Sequence, residues 1–289
     1  MGDPPTPIRA TVIDFDGTIC LRDVSEEILA EFASPEWWEI DLEFRRGEIG
    51  SRECLTRQGA LLSGSKGAML EFALARFTID PSFRPGVEWA HDLRIEVVVA
   101  SDGVAFYIEP MLSAAGVDGV TVYTNDTAIE DGRPPSFSFP NAHPVCVGCG
   151  TCKMLVVLRS REQHGPVAFV GEGYSDRYGA LYSDLVFAKK YLVDICKQDG
   201  IAFSPWETFD DVRAGLEAGG EPPGPVATET RRLDLARESP RLSALEGTTD
   251  RRERIDEKRR PRHSRRRAPQ SQASASARVL PSQLSYSEA

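Results

Sequence analysis

The chain has 289 residues, contains 34 lysine and arginine residues against 44 aspartate and glutamate residues, and carries a formal net charge of −10. A chain of this length can bury a full hydrophobic core and favours one large domain or two smaller ones. The acidic balance argues against a nucleic-acid surface on the folded part and favours a site that recruits cations to hold an anionic ligand. The six cysteines, with no leader-like start and no apolar run of membrane-spanning length, favour a reduced, soluble protein that we expect in the cytoplasm.

The first predicted element is a buried parallel strand over residues 8–16, where apolar and β-branched side chains follow one another with little alternation. Asp14 and Asp16 lie at its end, and Gly17 breaks it. A buried carboxylate is unfavourable unless a cation or hydrogen-bond donors compensate its charge. The pair therefore predicts a cationic partner.

The region from about residue 21 to residue 83 is predicted to be a helical insert. Apolar residues recur there with the period of a helix in four segments, residues 25–33, 34–47, 50–62 and 65–77. An insert placed directly after the first strand would lie above the carboxyl end of that strand. We expect it to act as a lid that selects the substrate and excludes water.

Several side chains of the insert have two interpretations. Arg45, Arg46 and Glu26 are candidate contacts to the polar end of a substrate, although a solvated helix face is the commoner role for such residues. Trp37 and Trp38 are expected to pack inside the lid rather than to form a platform for substrate.

Two further strands are predicted at residues 94–103 and 166–173, and each ends, like the first, in small and polar residues. Helical segments at residues 87–94 and 105–117 flank the second strand. Alternation of strands and helices predicts an α/β fold with a doubly wound parallel sheet. Ligands of such sheets bind beyond the carboxyl ends of the strands, so the three polar strand ends are expected to converge there.

Residues 217–289 differ in composition from the rest, being rich in Pro, Gly, Ser, Ala and Arg. We expect this segment to be a disordered tail with a basic cluster. A solvated charged tail is the preferred interpretation, and salt-sensitive association with nucleic acid is the alternative.

The paired carboxylates suggest a specific chemistry. An aspartate oxygen such as that of Asp14 can accept a phosphoryl group and then lose it to water. Asp16, two residues further on, can face the same crevice and act as acid and then as base.

The segment DFDGT, residues 14–18, resembles the first motif of the haloacid dehalogenase superfamily of phosphatases, and later strand ends resemble its other motifs in order. Ser101 corresponds to the second motif, Lys153 to the third, and residues 170–176, VGEGYSD, to the fourth. The insert lies where the phosphoserine-phosphatase-like branch carries its cap. Several longer segments resemble the subgroup that contains a methionine-salvage phosphatase.

This resemblance implies a catalytic core at residues 8–20 and 84–216 with a helical cap at residues 21–83. It implies Mg²⁺-dependent hydrolysis of a small phosphorylated metabolite through an aspartyl-phosphate intermediate, and it leaves the oligomeric state open. The implied residues are Asp14 and Asp16 for catalysis, Ser101, Asp102, Gly103 and Lys153 for the phosphate, and Asp14, Asp16 (through its main-chain carbonyl), Glu172 and Asp176 for the metal.

Two alternatives remain at this stage. Glu172 stands where the branch typically has aspartate, and octahedral Mg²⁺ is demanding in its geometry, so the chain could be a weakened descendant that acts as a binding or regulatory module. A second hypothesis concerns the evenly spaced residues His143, Cys146, Cys149 and Cys152, which could hold zinc; a reduced packing loop is the preferred interpretation.

Overall fold

The computed structural model describes residues 7–130, 133–144 and 148–219. Seven strands lie within these residues: β1 Ala10–Ile13, β2 Glu96–Val104, β3 Thr121–Ala128, β4 Ser136–Ser138, β5 Val167–Gly171, β6 Leu185–Ala188 and β7 Ser204–Pro205. They form one sheet in the order β4-β3-β2-β1-β5-β6-β7, parallel throughout except for the antiparallel pair β3 and β4. The predicted α/β fold with a parallel sheet is confirmed, and the three predicted strands are its central members.

The central strands are apolar along their whole length because both faces of the sheet are covered. In β1, Ala10 and Val12 point into one hydrophobic cluster, whereas Ile13 points into the other. In β2, Val99 points into the same cluster as Ile13, and Ala100 points into the cluster of Ala10 and Val12. Burial on both faces explains why the sequence shows near-continuous apolar runs instead of alternation.

The helices occupy both faces of the sheet and the segment between β1 and β2. They are α1 Val24–Phe32, α2 Trp37–Arg45, α3 Ser51–Gly59, α4 Lys66–Arg76, α5 Phe83–Asp92, α6 Ala105–Ala114, α7 Lys153–His164, α8 Arg177–Leu181, α9 Tyr191–Asp199 and α10 Phe209–Glu217. None of the helices in the described ranges is long and apolar enough to cross a membrane.

The predicted insert contains helices α1 to α4, one for each of the four periodic segments. Asp23 caps α1 by accepting a hydrogen bond from the Glu26 backbone at 2.9 Å, which satisfies one of the amides at the start of the helix. Helices α1 and α4 contribute to the main core, whereas Trp37 and Trp38 are buried in a small cluster of the insert itself. The packing role expected for the two tryptophans is confirmed, and the bounds of the cap remain a prediction.

Helix α3 contacts the loop that precedes α7. The Arg52 backbone amide donates to the Gly148 carbonyl at 3.1 Å, and the Gly150 amide donates to Ser51 Oγ at 3.1 Å. A Cβ atom on Gly50 would lie 2.2 Å from the Gly148 carbonyl oxygen, so this approach of two backbones requires glycine. The insert is thereby held against the carboxyl edge of the sheet.

Candidate active site

A cavity of about 150 Å³ lies where the carboxyl ends of β1, β2 and β5 meet the insert. The predicted site residues that line it are Asp14, Asp16, Ser101, Asp102, Gly103 and Glu172. The other two predicted residues, Lys153 and Asp176, are buried behind the cavity wall. The three strand ends thus converge, as parallel strands require.

The turn after β1 presents Asp14 and Asp16 to the cavity. The Asp14 amide donates to the Val170 carbonyl of β5 at 3.0 Å, which fixes Asp14 at the end of the strand. Gly17 has a φ of +71°, and a Cβ atom there would lie 2.6 Å from Glu172 Oε1. Glycine therefore serves both the left-handed turn and the approach of the Glu172 side chain.

Lys153 is a buried cation that contacts two of the predicted site carboxylates. Its Nζ atom donates to Asp14 Oδ1 at 2.6 Å, to Asp176 Oδ1 at 2.6 Å and to Ser175 Oγ at 2.9 Å, which uses all three ammonium protons. Burial alone lowers the pKa of Lys153, but the charges of Asp14, Asp176 and Asp102 outweigh that effect and raise it. Lys153 is therefore a permanent cation at the base of the site.

Asp14 remains electrostatically strained despite this partner. Burial and the nearby Asp176 raise the pKa of the Asp14 carboxyl well above its usual value, against the opposing effect of Lys153. One ammonium group cannot compensate two buried carboxylates. The site therefore has room for further positive charge.

Asp16 accepts hydrogen bonds on both of its carboxyl oxygens. The Val24 amide donates to Oδ1 at 2.9 Å and the Tyr107 hydroxyl donates to Oδ2 at 2.7 Å. Burial raises the pKa of Asp16 to about 6, and the hydrogen bonds from Tyr107 and Val24 oppose the rise. Burial also raises the pKa of Tyr107 well above its usual value, so the phenol stays protonated and acts as the donor.

The end of β2 is irregular around Ser101, because its pairing with β3 shifts register between Ala100 and Val104. The Gly103 amide donates to Ser101 Oγ at 2.9 Å, so both groups lie together at the cavity. The Asp102 carboxylate accepts from the Thr151 amide at 2.7 Å, two residues before Lys153. A phosphate at this strand end would therefore meet the Asp102 backbone, since the Asp102 side chain is directed at Thr151.

Asp176 ties the end of β5 to Lys153. Its Oδ2 atom accepts from the backbone amides of Glu172 at 2.9 Å and Gly173 at 2.8 Å, while Oδ1 faces Lys153. These contacts give Asp176 a positioning role. Its predicted role as a metal ligand stays a prediction.

Glu172 provides a buried oxygen that is not satisfied by hydrogen bonds. The Lys190 Nζ atom lies 2.7 Å from Glu172 Oε2, yet the geometry is not that of a hydrogen bond and Oε2 accepts none from the described residues. Lys190 itself has the unusual φ of +50° and donates to the Gly17 carbonyl at 3.3 Å. A non-glycine residue in this conformation commonly marks a functional site.

The oxygen groups around the cavity fit a magnesium ion. Carboxylate and carbonyl oxygens are its preferred ligands, and Glu172 Oε2 is a buried carboxylate oxygen that accepts no hydrogen bond from the described residues and has Lys190 as its ion-pair partner. Across the described ranges, no group of three or more His, Cys, Asp or Glu side chains is clustered as a metal cage. Mg²⁺ usually binds one or two carboxylates together with substrate phosphate and water, so such a cage is not required.

The insert closes the cavity with a buried ion-pair network. Arg45 forms ion pairs with Asp41 of its own helix and with Glu26 of α1, and its guanidinium lies 5.3 Å from the centre of the Trp38 ring. Arg45 is 5% exposed, so the solvated role preferred for it from the sequence is wrong. Arg46 is exposed and pairs with Glu48 instead.

The zinc hypothesis falls partly outside the described residues, because Cys146 does. His143, Cys149 and Cys152 are described, and Cys152 lies immediately before the helix that carries Lys153. The hypothesis therefore stays a prediction.

Sequence reasoning missed several residues that contact the site residues, among them Ser175, Tyr107 and Lys190. Ser175 accepts from Lys153, Tyr107 donates to Asp16, and Lys190 lies against Glu172. The apolar run Leu185–Ala188, which is followed directly by Lys189 and Lys190, was a usable signal for another strand end. Tyr107 gave no such signal, because a tyrosine within an apolar helix is indistinguishable from core.

Comparison with solved structures identifies the fold. A phosphoserine phosphatase with an analogue of its phospho-aspartyl intermediate matches with a TM-score of 0.56 and 18% identity, over 74% of this chain and 100% of that chain. A phosphoserine phosphohydrolase-like protein from Francisella tularensis matches with a TM-score of 0.55 and 19% identity, over 72% of this chain and 99% of that chain. The fold is therefore that of the phosphoserine-phosphatase-like haloacid dehalogenase hydrolases.

Comparison with curated sequences finds related phosphatases. The 2-hydroxy-3-keto-5-methylthiopentenyl-1-phosphate phosphatase of Brevibacillus brevis is 30% identical over 202 residues, which are 69% of this chain and 90% of the relative. The phosphatase of the same name from Bacillus velezensis is 29% identical over 216 residues, 73% of this chain and 90% of the relative. No family model matches the chain. The chain belongs to the haloacid dehalogenase superfamily of phosphatases, alongside these relatives, and is a phosphoric monoester hydrolase.

Proposed function

We propose that the protein hydrolyses a small phosphate monoester in a Mg²⁺-dependent reaction through an aspartyl-phosphate on Asp14. The observation that carries the proposal is the placement of the Asp14 carboxylate at the cavity, with Lys153 behind it and Asp16 beside it. A carboxylate fixed in this way is positioned as a nucleophile.

In the first step, an oxygen of Asp14 attacks phosphorus and the bond from phosphorus to the leaving oxygen breaks. Asp16 gives its proton to that oxygen, so the product leaves as a neutral alcohol. Lys153, Ser101 Oγ and the Asp102 amide are proposed to offset the charge of the phosphoryl group. Gly103 stays a further candidate, since its amide donates to Ser101 Oγ. The buried ammonium of Lys153 makes this compensation available without reorganisation.

In the second step, water attacks the same phosphorus and the bond from phosphorus to Asp14 breaks. Asp16, now a carboxylate, takes the proton of the water, which restores both aspartates and releases inorganic phosphate. A bound magnesium ion would supply charge neutralisation and polarisation of the phosphoryl oxygens. Asp14, the Asp16 main-chain carbonyl and Glu172 are the groups proposed to hold it, and Asp176 stays a further candidate.

For the substrate, we infer a small phosphorylated metabolite of the kind named in the curated relatives, 2-hydroxy-3-keto-5-methylthiopentenyl 1-phosphate. A cavity of about 150 Å³ suits a small molecule, since pockets for drug-sized ligands span roughly 300–1,000 Å³. The insert covers the cavity with side chains such as Leu29 and Phe44. A folded protein would not reach Asp14 through this cover.

A phosphometabolite panel with purified protein tests the proposal. We expect phosphate release that depends on added Mg²⁺, is abolished by EDTA and is greatest for small keto or enol phosphates. A phosphoryl group that is trapped on the unaltered protein but not on the Asp14→Asn variant would support the intermediate. Absence of phosphate release from every substrate of the panel and from para-nitrophenyl phosphate would overturn the proposal.

Glu172 allows a separate test of the metal site, because a glutamate at this position could lower the affinity for Mg²⁺. If its extra methylene lowers metal affinity, Glu172→Asp should reduce the Mg²⁺ concentration that gives half-maximal activity. If Glu172 instead suits this site, owing to its contact with Gly17 and Lys190, Glu172→Asp should raise that concentration. Calorimetric titration of Mg²⁺ into both proteins measures the same difference without turnover.

A further inference from the structure

Tyr107 is a core residue of α6 whose hydroxyl reaches the active site. The side chain is 1% exposed, and its hydroxyl donates to Asp16 Oδ2 at 2.7 Å. Ser25 Oγ, at the start of α1, lies 2.8 Å from the same hydroxyl oxygen. A phenol has one proton, which is directed at Asp16, so Ser25 is the donor in the second hydrogen bond.

The position of this hydroxyl depends on the end of β2. A Cβ atom on Gly103 would lie 2.1 Å from the Tyr107 hydroxyl oxygen and 2.7 Å from Asp16 Oδ2. Glycine at this position therefore leaves the space that the hydroxyl occupies. The hydroxyl is enclosed by the β2 end, the turn after β1 and the first turn of α1.

The Val24 amide and the Tyr107 hydroxyl donate to different oxygens of Asp16. The Val24 amide holds Oδ1 and Tyr107 holds Oδ2, so together they fix the plane of the carboxyl group. A lone pair that remains on the carboxyl group can carry the proton that Asp16 donates to the leaving oxygen. Loss of the Tyr107 hydroxyl would remove the side-chain donor of Oδ2 and fix the plane of the carboxyl group less firmly.

We propose that Tyr107 is a positioning residue for proton transfer by Asp16, coupled to the insert through Ser25. The proposal rests on the acid–base role proposed for Asp16. Tyr107 makes no contact with phosphate in this role. It fixes the orientation in which Asp16 meets the leaving oxygen.

The leaving group provides a readout that a purely structural role would not give. An alkoxide is strongly basic and needs a proton as its bond to phosphorus breaks, whereas para-nitrophenolate leaves without one. The ratio kcat/KM reports steps up to the first irreversible one, here the transfer of the phosphoryl group to Asp14. A positioning defect at Asp16 should therefore lower kcat/KM for an alkyl phosphate and spare para-nitrophenyl phosphate.

The experiment compares Tyr107→Phe with the unaltered full-length protein, with glycerol phosphate and para-nitrophenyl phosphate in saturating Mg²⁺. General acid–base catalysis contributes roughly 10²–10⁴-fold, and we expect Tyr107→Phe to lose about 10–100-fold in kcat/KM for the alkyl phosphate. For the aryl phosphate we expect a change of less than about threefold. Ser25→Ala should show a smaller loss with the same selectivity, and it serves as a second variant if Tyr107→Phe folds poorly.

Two controls separate the outcomes. Tyr182→Phe makes the same change at an equally buried tyrosine outside the cavity and should leave both substrates unaffected. Asp16→Asn tests the underlying acid role: if it shows no preference between leaving groups, the acid role and the Tyr107 proposal both fail. If Asp16→Asn is selective while Tyr107→Phe affects both substrates equally or neither, the Tyr107 proposal alone is overturned.

Discussion

At the scale of single residues, the site is organised by one buried ammonium group. Lys153 contacts Asp14, Ser175 and Asp176, which come from two separate strand ends. Breaking a buried ion pair by removing one partner leaves an uncompensated charge and is strongly destabilising. Lys153 therefore serves stability as well as the chemistry proposed for it.

Replacement of Lys153 by methionine should destabilise the protein severely. The variant would leave Asp14 and Asp176 without their cation, which predicts a loss of about 3–5 kcal/mol in the free energy of unfolding. Urea denaturation measures the change, and Lys66→Met on the exposed side of α4 is the control, expected within about 0.5 kcal/mol. A loss for Lys153→Met as small as that of the control would contradict the assigned role.

Replacement of Asp14 by asparagine separates catalysis from folding. The amide cannot form an acyl phosphate, so we expect turnover to fall by at least ~10³-fold. Lys153 keeps its contacts with Asp176 and Ser175, so the free energy of unfolding should change by no more than about 1 kcal/mol. Retained turnover with intact folding would remove Asp14 from the nucleophile position.

At the scale of elements, charged side chains lie at the carboxyl ends of the parallel strands, just after the hydrogen bonds between strands end. The end of β6 illustrates this, since Lys189 and Lys190 follow it directly. Lys189 Nζ lies 3.6 Å from the centre of the Trp206 ring. Burial and the neighbouring charge of Lys190 lower the pKa of Lys189 to about 8.

This lowered pKa predicts a pH-dependent contribution to stability. The folded-state pKa of about 8 lies below that of an unfolded lysine, about 10.4, so between these values the unfolded chain binds a proton that the folded chain does not. The contribution of Lys189 to the free energy of unfolding therefore rises with pH across this window. The added stability is lost again as the pH falls through the folded-state pKa of about 8.

Lys189→Met isolates this effect. Because Lys189 is partly exposed, we expect the stability of the unaltered protein relative to the variant to increase by only about 1–2 kcal/mol between pH 7 and pH 10. Urea denaturation of both proteins at several pH values measures the difference, in which other titrating groups cancel. A difference that stays constant with pH would contradict the lowered pKa.

At the scale of the whole molecule, residues within 7–219 contain the sheet, the insert and every predicted site residue. The insert is fastened at two places, by α1 and α4 in the main core and by α3 on the loop before α7. This double attachment holds the cavity cover in place. The predicted tail lies outside the described residues from residue 220 onward, but its predicted start at residue 217 is wrong, because Glu217 is the last residue of α10.

A chain that ends after residue 219 should therefore keep its catalysis. We expect kcat and KM within about twofold of the full-length values and a Tm within about 2 °C. Steady-state kinetics with the same substrate and a thermal melt measure both. A large loss of activity would mean that the segment from residue 220 onward contributes to the site.

The sequence by itself determined the parallel sheet, the insert and the strand ends that carry Asp14, Ser101 and Glu172. The strands and helices follow from the periodicity of consecutive residues. The convergence of the strand ends follows because the carboxyl ends of parallel strands lie at the same edge of the sheet. The sequence also predicted that a cation or hydrogen-bond donors compensate the buried carboxylates.

Only the tertiary structure decided which distant side chains meet. Tyr107 lies 91 residues from Asp16 and Lys190 lies 173 residues from Gly17. Arg45 is buried because Asp41 and Glu26 pair with it across two helices, although its own segment reads as an exposed face. Such contacts depend on how whole elements pack, and no local pattern of residues encodes the partner that packing brings to a side chain.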